Sequence, residues 1–273
     1  MAIKDYHHDL YLWRANLDKS IRNENGWLAL AGIFWLEPGK SLFGSDPKCE
    51  VRLPIRLADI MGYFEYNGKT VSLYANMGEK VNVNGGLVDF AILQPDTSDN
   101  PSYIDLEDTR LVVIEREGRL GIRMWDNLRK ERQTFPARTW FDIDESFRVQ
   151  AAYTPYDHPK QTYFPDITGK SSESQVEGFL TFEIKGAQYQ LDVNKEDDDT
   201  LFIRFWDQTS RNETYPSGRY LTVNNEEEGE LFLDFNKAYS PPCAFTAFGT
   251  CVFAPEQNRL NLRVTAGETY SLR

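Results

Sequence analysis

The fold is constrained above all by a succession of short segments rich in β-branched and aromatic residues. Examples are TRLVVIERE, GFLTFEI and TLFIRFW, and turn-forming stretches such as YNGK and EREGR separate such segments at close intervals. This spacing is typical of antiparallel strands joined by tight turns. No regular alternation of strands with helices accompanies it. The sequence therefore predicts a mainly β protein, built as an antiparallel sandwich or barrel.

One helix is predicted, at the N-terminus. Between Asp5 and Arg22 apolar side chains recur every three or four residues, which places them on one face of a helix. These are Tyr6, Leu10, Trp13, Leu17 and Ile21. The following NENG is a typical end signal. We therefore assign residues 1–30 to an N-terminal amphipathic helix.

Residues 40 to 95 resemble a forkhead-associated domain. The resemblance rests on Gly44, on Cys49-Glu50-Val51 with Leu53, and on the later Val83-Asn84-Gly85. In that family phosphothreonine is bound by an Arg after the glycine and by a Ser and a His on the next loop. Here Ser45 follows the glycine, and the loop IRLADIMG contains neither Ser nor His. The resemblance thus implies a forkhead-associated-like β sandwich over residues 31–108 that lacks the phosphate-binding groups.

Two stretches of the chain are nearly the same, LGIRMWDNLRKERQTFP from residue 120 and LFIRFWDQTSRNETYP from residue 201. We infer an internal duplication of a strand–turn–strand unit, within an antiparallel β domain at residues 109–273. Alternation places the Arg and Trp on one face of each strand, and the Asp is expected to cap the turn. The matched pairs are Leu120/Leu201, Ile122/Ile203, Arg123/Arg204, Trp125/Trp206, Asp126/Asp207 and, further on, Arg138/Arg219.

Charge and hydropathy exclude several classes of partner. The net charge is −12, with no basic stripe, so we expect no nucleic-acid partner. No apolar run approaches the roughly 20 residues that span a bilayer, so we expect no membrane partner. The start, MAIKDYHHDLYLW, lacks the apolar core of a secretory signal, which favours a cytoplasmic location.

Cofactor and metal motifs are not found in the sequence. Cys49, Cys243 and Cys251 are too few and too scattered for a disulfide framework and are expected to be reduced thiols. The spacing of the last two does not fit a zinc site, and no glycine-rich nucleotide motif occurs. The acidic runs at 195–199 and 224–230 are expected to be solvated turns. We therefore predict neither a cofactor nor a metal.

The most unusual stretch is LDFNKAYSPPCAFTAFGTCVFAPEQNRL, which mixes polar side chains with aromatic residues and paired prolines. Together with WRANLDKSIRNENGWLALAGIFWLEPGKSLFGSDP and NETYPSGRYL, it resembles the family called domain of unknown function 1684. The resemblance implies no activity. Two positions depart from the family pattern, because Ser240 and Val252 stand where Asn and Pro are expected.

A binding site for a small polar or anionic molecule is predicted in this C-terminal domain. Polar groups among apolar ones fix the orientation of a ligand, and arginines at matching places of the two repeats would give a positive local field. The predicted ligand-binding residues are Arg138, Glu213, Arg219, Asp234, Asn236, Tyr239, Asn258 and Arg259.

A hydrolase-type enzyme is the alternative at the same place. Glu213, Asp234 and Glu256 would serve as acid or base if burial raised their pKa values. If these carboxylates only stabilise the fold, Glu213 is expected to pair with Arg219, and Glu256 is expected to pair with Arg259. Two carboxylates about 5 to 10 Å apart facing a cleft would favour the enzyme, whereas converging arginines would favour binding.

Overall fold

The protein is described here by a computed structural model, which covers residues 3–165, 171–197, 200–224 and 231–270. Strands hold 46% of the residues and helices 15%, so the prediction of a mainly β fold with an N-terminal helix is confirmed. The chain forms two compact units. Ser20–Phe135 is one, and Met1–Lys19 with Pro136–Arg273 is the other. No helix among the described residues is long and apolar enough to cross a bilayer.

The predicted helix is α1, Ile3–Arg22. Leu10 and Ile21, from its predicted apolar face, are buried at 1% and 2% exposure. The helix ends where NENG begins. A Cβ at Gly26 would lie only 2.8 Å from the carbonyl oxygen of Ile21, so the chain can turn away this closely only at a glycine.

The unit Ser20–Phe135 contains two sheets. One has the order β1-β11-β10-β9-β6-β7 and the other β3-β2-β4-β5-β8. Neighbouring strands are antiparallel, except that β2 and β3 are parallel. A short helix, α2 (Lys130–Thr134), follows the last strand. The strands are β1 (Leu30–Trp35), β2 (Gly39–Gly44), β3 (Val51–Arg52), β4 (Gly62–Tyr66), β5 (Val71–Ala75), β6 (Asn82–Val83), β7 (Gly86–Leu87), β8 (Phe90–Leu93), β9 (Tyr103–Leu106), β10 (Thr109–Arg116) and β11 (Arg119–Asp126).

A single apolar core joins the two sheets of this unit. Phe43 and Phe64 from one sheet belong to the same buried cluster as Ile104 and Ile122 from the other. The predicted boundary after residue 108 falls between β9 and β10, inside this sandwich. These two strands pair with each other, and β11 pairs with β1 and β10, so the compact unit extends to Phe135. Sequence spacing could not show this, because the pairing of β1 with β11 joins segments about ninety residues apart.

The other unit is built around a six-stranded sheet of order β17-β16-β15-β14-β13-β18. Its two end strands contact each other, and the sheet is nearly closed and barrel-like. Phe205 and Phe235 are fully buried inside it. β12 and β19 form a separate pair. The strands are β12 (Thr139–Trp140), β13 (Arg148–Pro165), β14 (Ser171–Ile184), β15 (Ala187–Lys195), β16 (Thr200–Phe205), β17 (Arg219–Asn224), β18 (Leu231–Asp234) and β19 (Glu268–Thr269).

The repeated phrase forms a strand in both places, β11 in the first copy and β16 in the second. Ile122 and Ile203, which the repeat aligns, are both completely buried. In each copy, the aligned Asp also accepts a hydrogen bond from the backbone N–H of the residue two positions later. Asp126 accepts from the Leu128 amide at 2.9 Å, and Asp207 accepts from the Thr209 amide at 3.2 Å.

Beyond the turn the two copies differ. After β16 the chain returns as β17, which begins at Arg219 and pairs with β16. After β11 the chain forms α2 instead, and Arg138 precedes β12, whose partner is β19. The expectation that Arg138 and Arg219 occupy matching places is therefore wrong. The repeated residues specify a strand and its turn, but a partner strand follows the turn only in the second copy.

Candidate functional site

Two predicted ligand-binding residues, Asp234 and Asn236, hold the N-terminal helix. The Tyr6 hydroxyl donates to both Asp234 oxygens, at 3.0 and 3.1 Å, and Asn236 Nδ2 donates to the Tyr6 oxygen at 3.1 Å. Asp234 also accepts from the Asn236 amide. Burial is the main reason that the pKa of Tyr6 is raised, and the charge of Asp234 adds to it. The phenol therefore stays protonated and keeps donating.

The side chain of Asn258 is likewise hydrogen-bonded to backbone groups. Its Oδ1 accepts from the Asp192 amide at 2.7 Å, and its Nδ2 donates to the carbonyls of Asp192 and Arg204, both at 2.8 Å. The side chain is 2% exposed. Because its donors and acceptor are all satisfied by backbone groups, Asn258 fastens the C-terminal segment to β15 and β16.

Three further predicted residues are held in ion pairs. Glu213 pairs with Arg263 rather than with Arg219, and Arg259 pairs with Glu256 at 3.0 Å. Arg219 lies inside the unit and pairs with Asp207 at 3.2 Å. The predicted Glu256–Arg259 pair is thus confirmed, whereas the predicted Glu213–Arg219 pair is wrong.

In the second copy, stacking differs from the expected Arg204–Trp206 pair. The indole of Trp206 is covered by the guanidinium groups of Arg211 at 5.4 Å and Arg259 at 4.7 Å. Both arginines come from segments outside β16. The guanidinium of Arg204 lies over other rings.

Arg138, one of the predicted ligand-binding residues, is buried in an ion pair. Its side chain is fully withdrawn from solvent, and its Nη1 donates to Glu268 Oε2 at 2.5 Å. Its Nε lies 3.7 Å from Asp18, and its guanidinium lies 4.5 Å from the ring centre of Phe245. Nη2 is buried and makes no hydrogen bond.

Glu268 connects Arg138 to the loop that follows β18. Its Oε2 also accepts from the Ser240 amide at 2.7 Å. Burial is the largest influence on this carboxyl and raises its pKa, while Arg138 and the Ser240 amide act in the opposite direction. The pair therefore places a desolvated carboxyl and a guanidinium beside Tyr239, the residue before Ser240.

Arg204 was not among the predicted ligand-binding residues, although it lies among aromatic rings. The Arg204 guanidinium lies over the rings of Phe202 at 4.7 Å, Phe164 at 5.1 Å and Tyr220 at 5.9 Å. Its Nη1 donates to the neutral amide oxygen of Asn194 at 2.8 Å, and its Nε is buried without a hydrogen-bond partner. Burial lowers the pKa of Arg204. The signal was present, because the phrase LFIRFW places Phe202 and Arg204 on one face of β16.

Tyr220 and Tyr239 bridge the two arginines. Their backbones pair, with N–O distances of 2.8 and 2.9 Å, and their ring centres are 6.0 Å apart. Burial raises the pKa of the Tyr239 hydroxyl and Glu196 adds to this, whereas the hydrogen bond with Thr222 and the charges of Arg138 and Arg204 lower it. We call Arg138, Arg204, Tyr220 and Tyr239 the arginine–tyrosine cluster. Since Arg204 and both tyrosines are only partly buried, the cluster reaches the surface.

The carboxylates proposed for the enzyme alternative have separate roles. Glu213 and Glu256 belong to different ion pairs, and Asp234 accepts hydrogen bonds from Tyr6 and Asn236. Among the described residues, no three His, Cys, Asp or Glu side chains are grouped so that they could hold a metal ion. Of the acidic runs, residues 195–197 are exposed, whereas residues 198–199 and 225–230 lie outside the described residues.

Two cavities lie in the unit Ser20–Phe135. One, of about 490 Å³, is lined in part by Arg56, Lys80 and Glu107. The other, of about 350 Å³, is lined in part by Lys69 and Glu115. Neither contains a predicted ligand-binding residue.

Comparison with known proteins gives a family. The family model described as protein of unknown function (DUF1684) matches residues 133–269, half of the chain. The chain is also similar to an uncharacterised protein from gene locus rrnAC0354 of Haloarcula marismortui, solved by solution NMR. The two are 31% identical, the match covers 51% of this chain and 79% of that one, and the TM-score is 0.41. No curated protein matches the chain. The chain therefore belongs to the DUF1684 family.

Proposed function

We propose that the C-terminal unit binds a small anionic molecule at the arginine–tyrosine cluster, with Arg138 and Arg204 as its cationic groups. The observation that carries this proposal is that the two guanidinium groups beside Tyr220 and Tyr239 keep buried N–H donors without acceptors, Nε and Nη2 of Arg138 and Nε of Arg204. Arg219 Nε is buried in the same way, but Arg219 lies inside the unit in an ion pair. Buried polar groups without partners are uncommon, and each costs about 1–3 kcal/mol or more when charged. Phosphate or carboxylate oxygens are suitable acceptors for such donors.

The environment of Arg204 also favours an anion. Arg204 donates to a neutral amide, and burial lowers its pKa because the charged form is poorly solvated there. A bound anion would offset that cost. The partly exposed rings of Tyr220 and Tyr239 would then cover the apolar part of the ligand, since a tyrosine combines an apolar ring with a polar end.

The other predicted ligand-binding residues have structural roles and are not proposed to contact the ligand. Asp234, Asn236 and Asn258 fix the helix and the C-terminal segment around the cluster. Arg219 pairs with Asp207 and donates to two backbone carbonyls, and Arg259 pairs with Glu256 at the surface. Tyr239 and Arg138 are the predicted residues that remain in contact with the proposed ligand.

The test is a thermal-shift and calorimetric titration with inorganic phosphate, sulfate and small carboxylates, made on the wild type and on Arg204→Gln. We expect saturable stabilisation of the wild type. Loss of a charged hydrogen bond of about 1.5–3 kcal/mol should weaken binding by roughly 10- to 100-fold in Arg204→Gln. Arg259→Gln is the control, because it removes the same charge from an exposed pair. If no anion stabilises the protein, or if both variants bind equally, the proposal fails.

The shape of residues 31–108 and the cellular location are also proposals. A forkhead-associated-like shape for residues 31–108 is supported by the two sheets that share one core, while Ser45 still stands where that family has its arginine. A cytoplasmic location stays a proposal that rests on the absence of an apolar secretory core in MAIKDYHHDLYLW.

A further inference from the structure

The two cysteines of the C-terminal loops meet in space. Cys243 lies in the short 3-10 helix Pro242–Ala244, and its backbone N–H donates to Cys251 Sγ at 3.0 Å. The intervening chain folds back at Gly249, where a Cβ would lie 3.2 Å from Cys251 Sγ and 3.1 Å from the Cys243 nitrogen. A glycine at this position allows the two sulfur-bearing segments to approach.

The two thiols differ in exposure. Cys243 is partly exposed, whereas Cys251 is 5% exposed. An attacking thiol must be reached by its partner, while the thiol that completes an intrachain disulfide only has to reach its neighbour. The arrangement therefore assigns the first role to Cys243 and the second to Cys251.

The surroundings of Cys243 favour its thiolate, the nucleophilic form. Its hydrogen bond with Cys251 is the largest influence and lowers the pKa of Cys243. Burial opposes this effect, and the hydroxyl of Tyr215 adds to the lowering. Cys49, in the other unit, is the opposite case, because burial raises its pKa.

We propose that Cys243 and Cys251 form a reversible intrachain disulfide by exchange with a low-molecular-weight disulfide such as oxidised glutathione. The Cys243 thiolate attacks one sulfur of that disulfide, forms a mixed disulfide and releases one glutathione thiolate. The Cys251 thiolate then attacks the Cys243 sulfur and releases the second. The protein loses two electrons and two protons, and the glutathione disulfide gains them as two thiols.

The experiment equilibrates the folded wild type in mixtures of reduced and oxidised glutathione, with a chelator present. Remaining thiols are then alkylated and mapped by mass spectrometry. We expect a Cys243–Cys251 disulfide that disappears when reduced glutathione is in excess, with Cys49 alkylated throughout. A wild-type map in which both Cys243 and Cys251 stay alkylated under oxidising conditions overturns the proposal.

Single substitutions assign the order of the two steps. Cys251→Ser should stop at the mixed disulfide, with glutathione retained on Cys243. Cys243→Ser should leave Cys251 almost unmodified, and Cys49→Ser should form the disulfide as the wild type does. In the reduced wild type, Cys243 should be alkylated about tenfold faster than Cys49. Equal rates, or modification of Cys251 first, would contradict the assigned roles.

Discussion

Arg219 Nη2 donates to Asp207 Oδ1 across 3.2 Å, and neither side chain is exposed to solvent. The same guanidinium donates to the carbonyls of Val264 and Ala266, and Asp207 Oδ2 accepts from the Val264 amide at 2.8 Å. The residues around Val264 form no strand. This ion pair therefore fixes the C-terminal segment against the barrel-like sheet.

Replacing Arg219 with Met should destabilise the protein strongly. The substitution leaves Asp207 buried without its cation, and breaking a buried pair in this way costs about 3–5 kcal/mol. Arg259→Met is the matched control, since its pair with Glu256 is 52% and 78% exposed and is worth about 0–1 kcal/mol. Urea unfolding measures both. Equal losses in the two variants would mean that the internal pair contributes nothing special.

Ile122 and Ile203, the aligned residues of the two repeats, offer a test of each core. Both are completely buried, so Ile122→Ala and Ile203→Ala should each cost about 2–5 kcal/mol through lost burial and a residual cavity. Ile55→Ala, at a residue that is 92% exposed, should change stability by less than about 0.5 kcal/mol. Denaturant unfolding of the three variants provides the measurement, and a small effect at either aligned position would contradict its place in the core.

A comparison of alanine substitutions at Gly218 and Gly68 distinguishes the cost of backbone strain from the cost of steric contact. Their φ angles are nearly equal, +91° and +90°, but a Cβ at Gly218 would lie 2.5 Å from the Phe205 carbonyl oxygen, whereas nothing lies within 4 Å at Gly68. Gly68→Ala should cost about 1–2 kcal/mol, the usual penalty of a left-handed residue. Gly218→Ala should cost more, because the backbone of β16 must also move. Chemical unfolding of both variants tests this order, which a larger loss at Gly68 would reverse.

The pH dependence of stability should contain a contribution from Glu268. Because burial raises its pKa above the ordinary value of 4.5, the folded state holds this proton more tightly than the unfolded state. The stabilisation is fully present below about pH 4.5 and is lost as the pH rises through the folded pKa. Glu268→Gln stays neutral, so the unfolding free energy of the wild type minus that of the variant should fall as the pH rises.

Urea unfolding from about pH 4 to about pH 8 measures that difference. Glu256→Gln, at an exposed residue, accounts for the general effect of losing one carboxylate. A difference that rises with pH would show that Arg138 outweighs burial at Glu268.

Local sequence pattern was sufficient for the elements and for much of the core. The apolar spacing of Leu10 and Ile21 specifies both the helix and its buried face, because a helix has 3.6 residues per turn. Alternation in LFIRFW likewise buries Ile203 and Phe205 and turns Arg204 outward, because side chains alternate along a strand. The choice among arginines was not local. Arg138 and Arg259 are equally charged in the sequence, yet one is enclosed beside Glu268 and the other is half exposed.

By itself, the sequence determined a mainly β protein, its N-terminal helix, the strand nature of both repeats and the turns that their aspartates cap. Only the tertiary structure decided that β1 pairs with β11, that Arg204 and Arg138 flank Tyr220 and Tyr239, and that Cys243 meets Cys251. The physical reason is the range of the interactions. Periodicity and turn chemistry act between residues a few positions apart, whereas strand pairing, burial of charge and side-chain contact depend on segments that only the folded chain brings together.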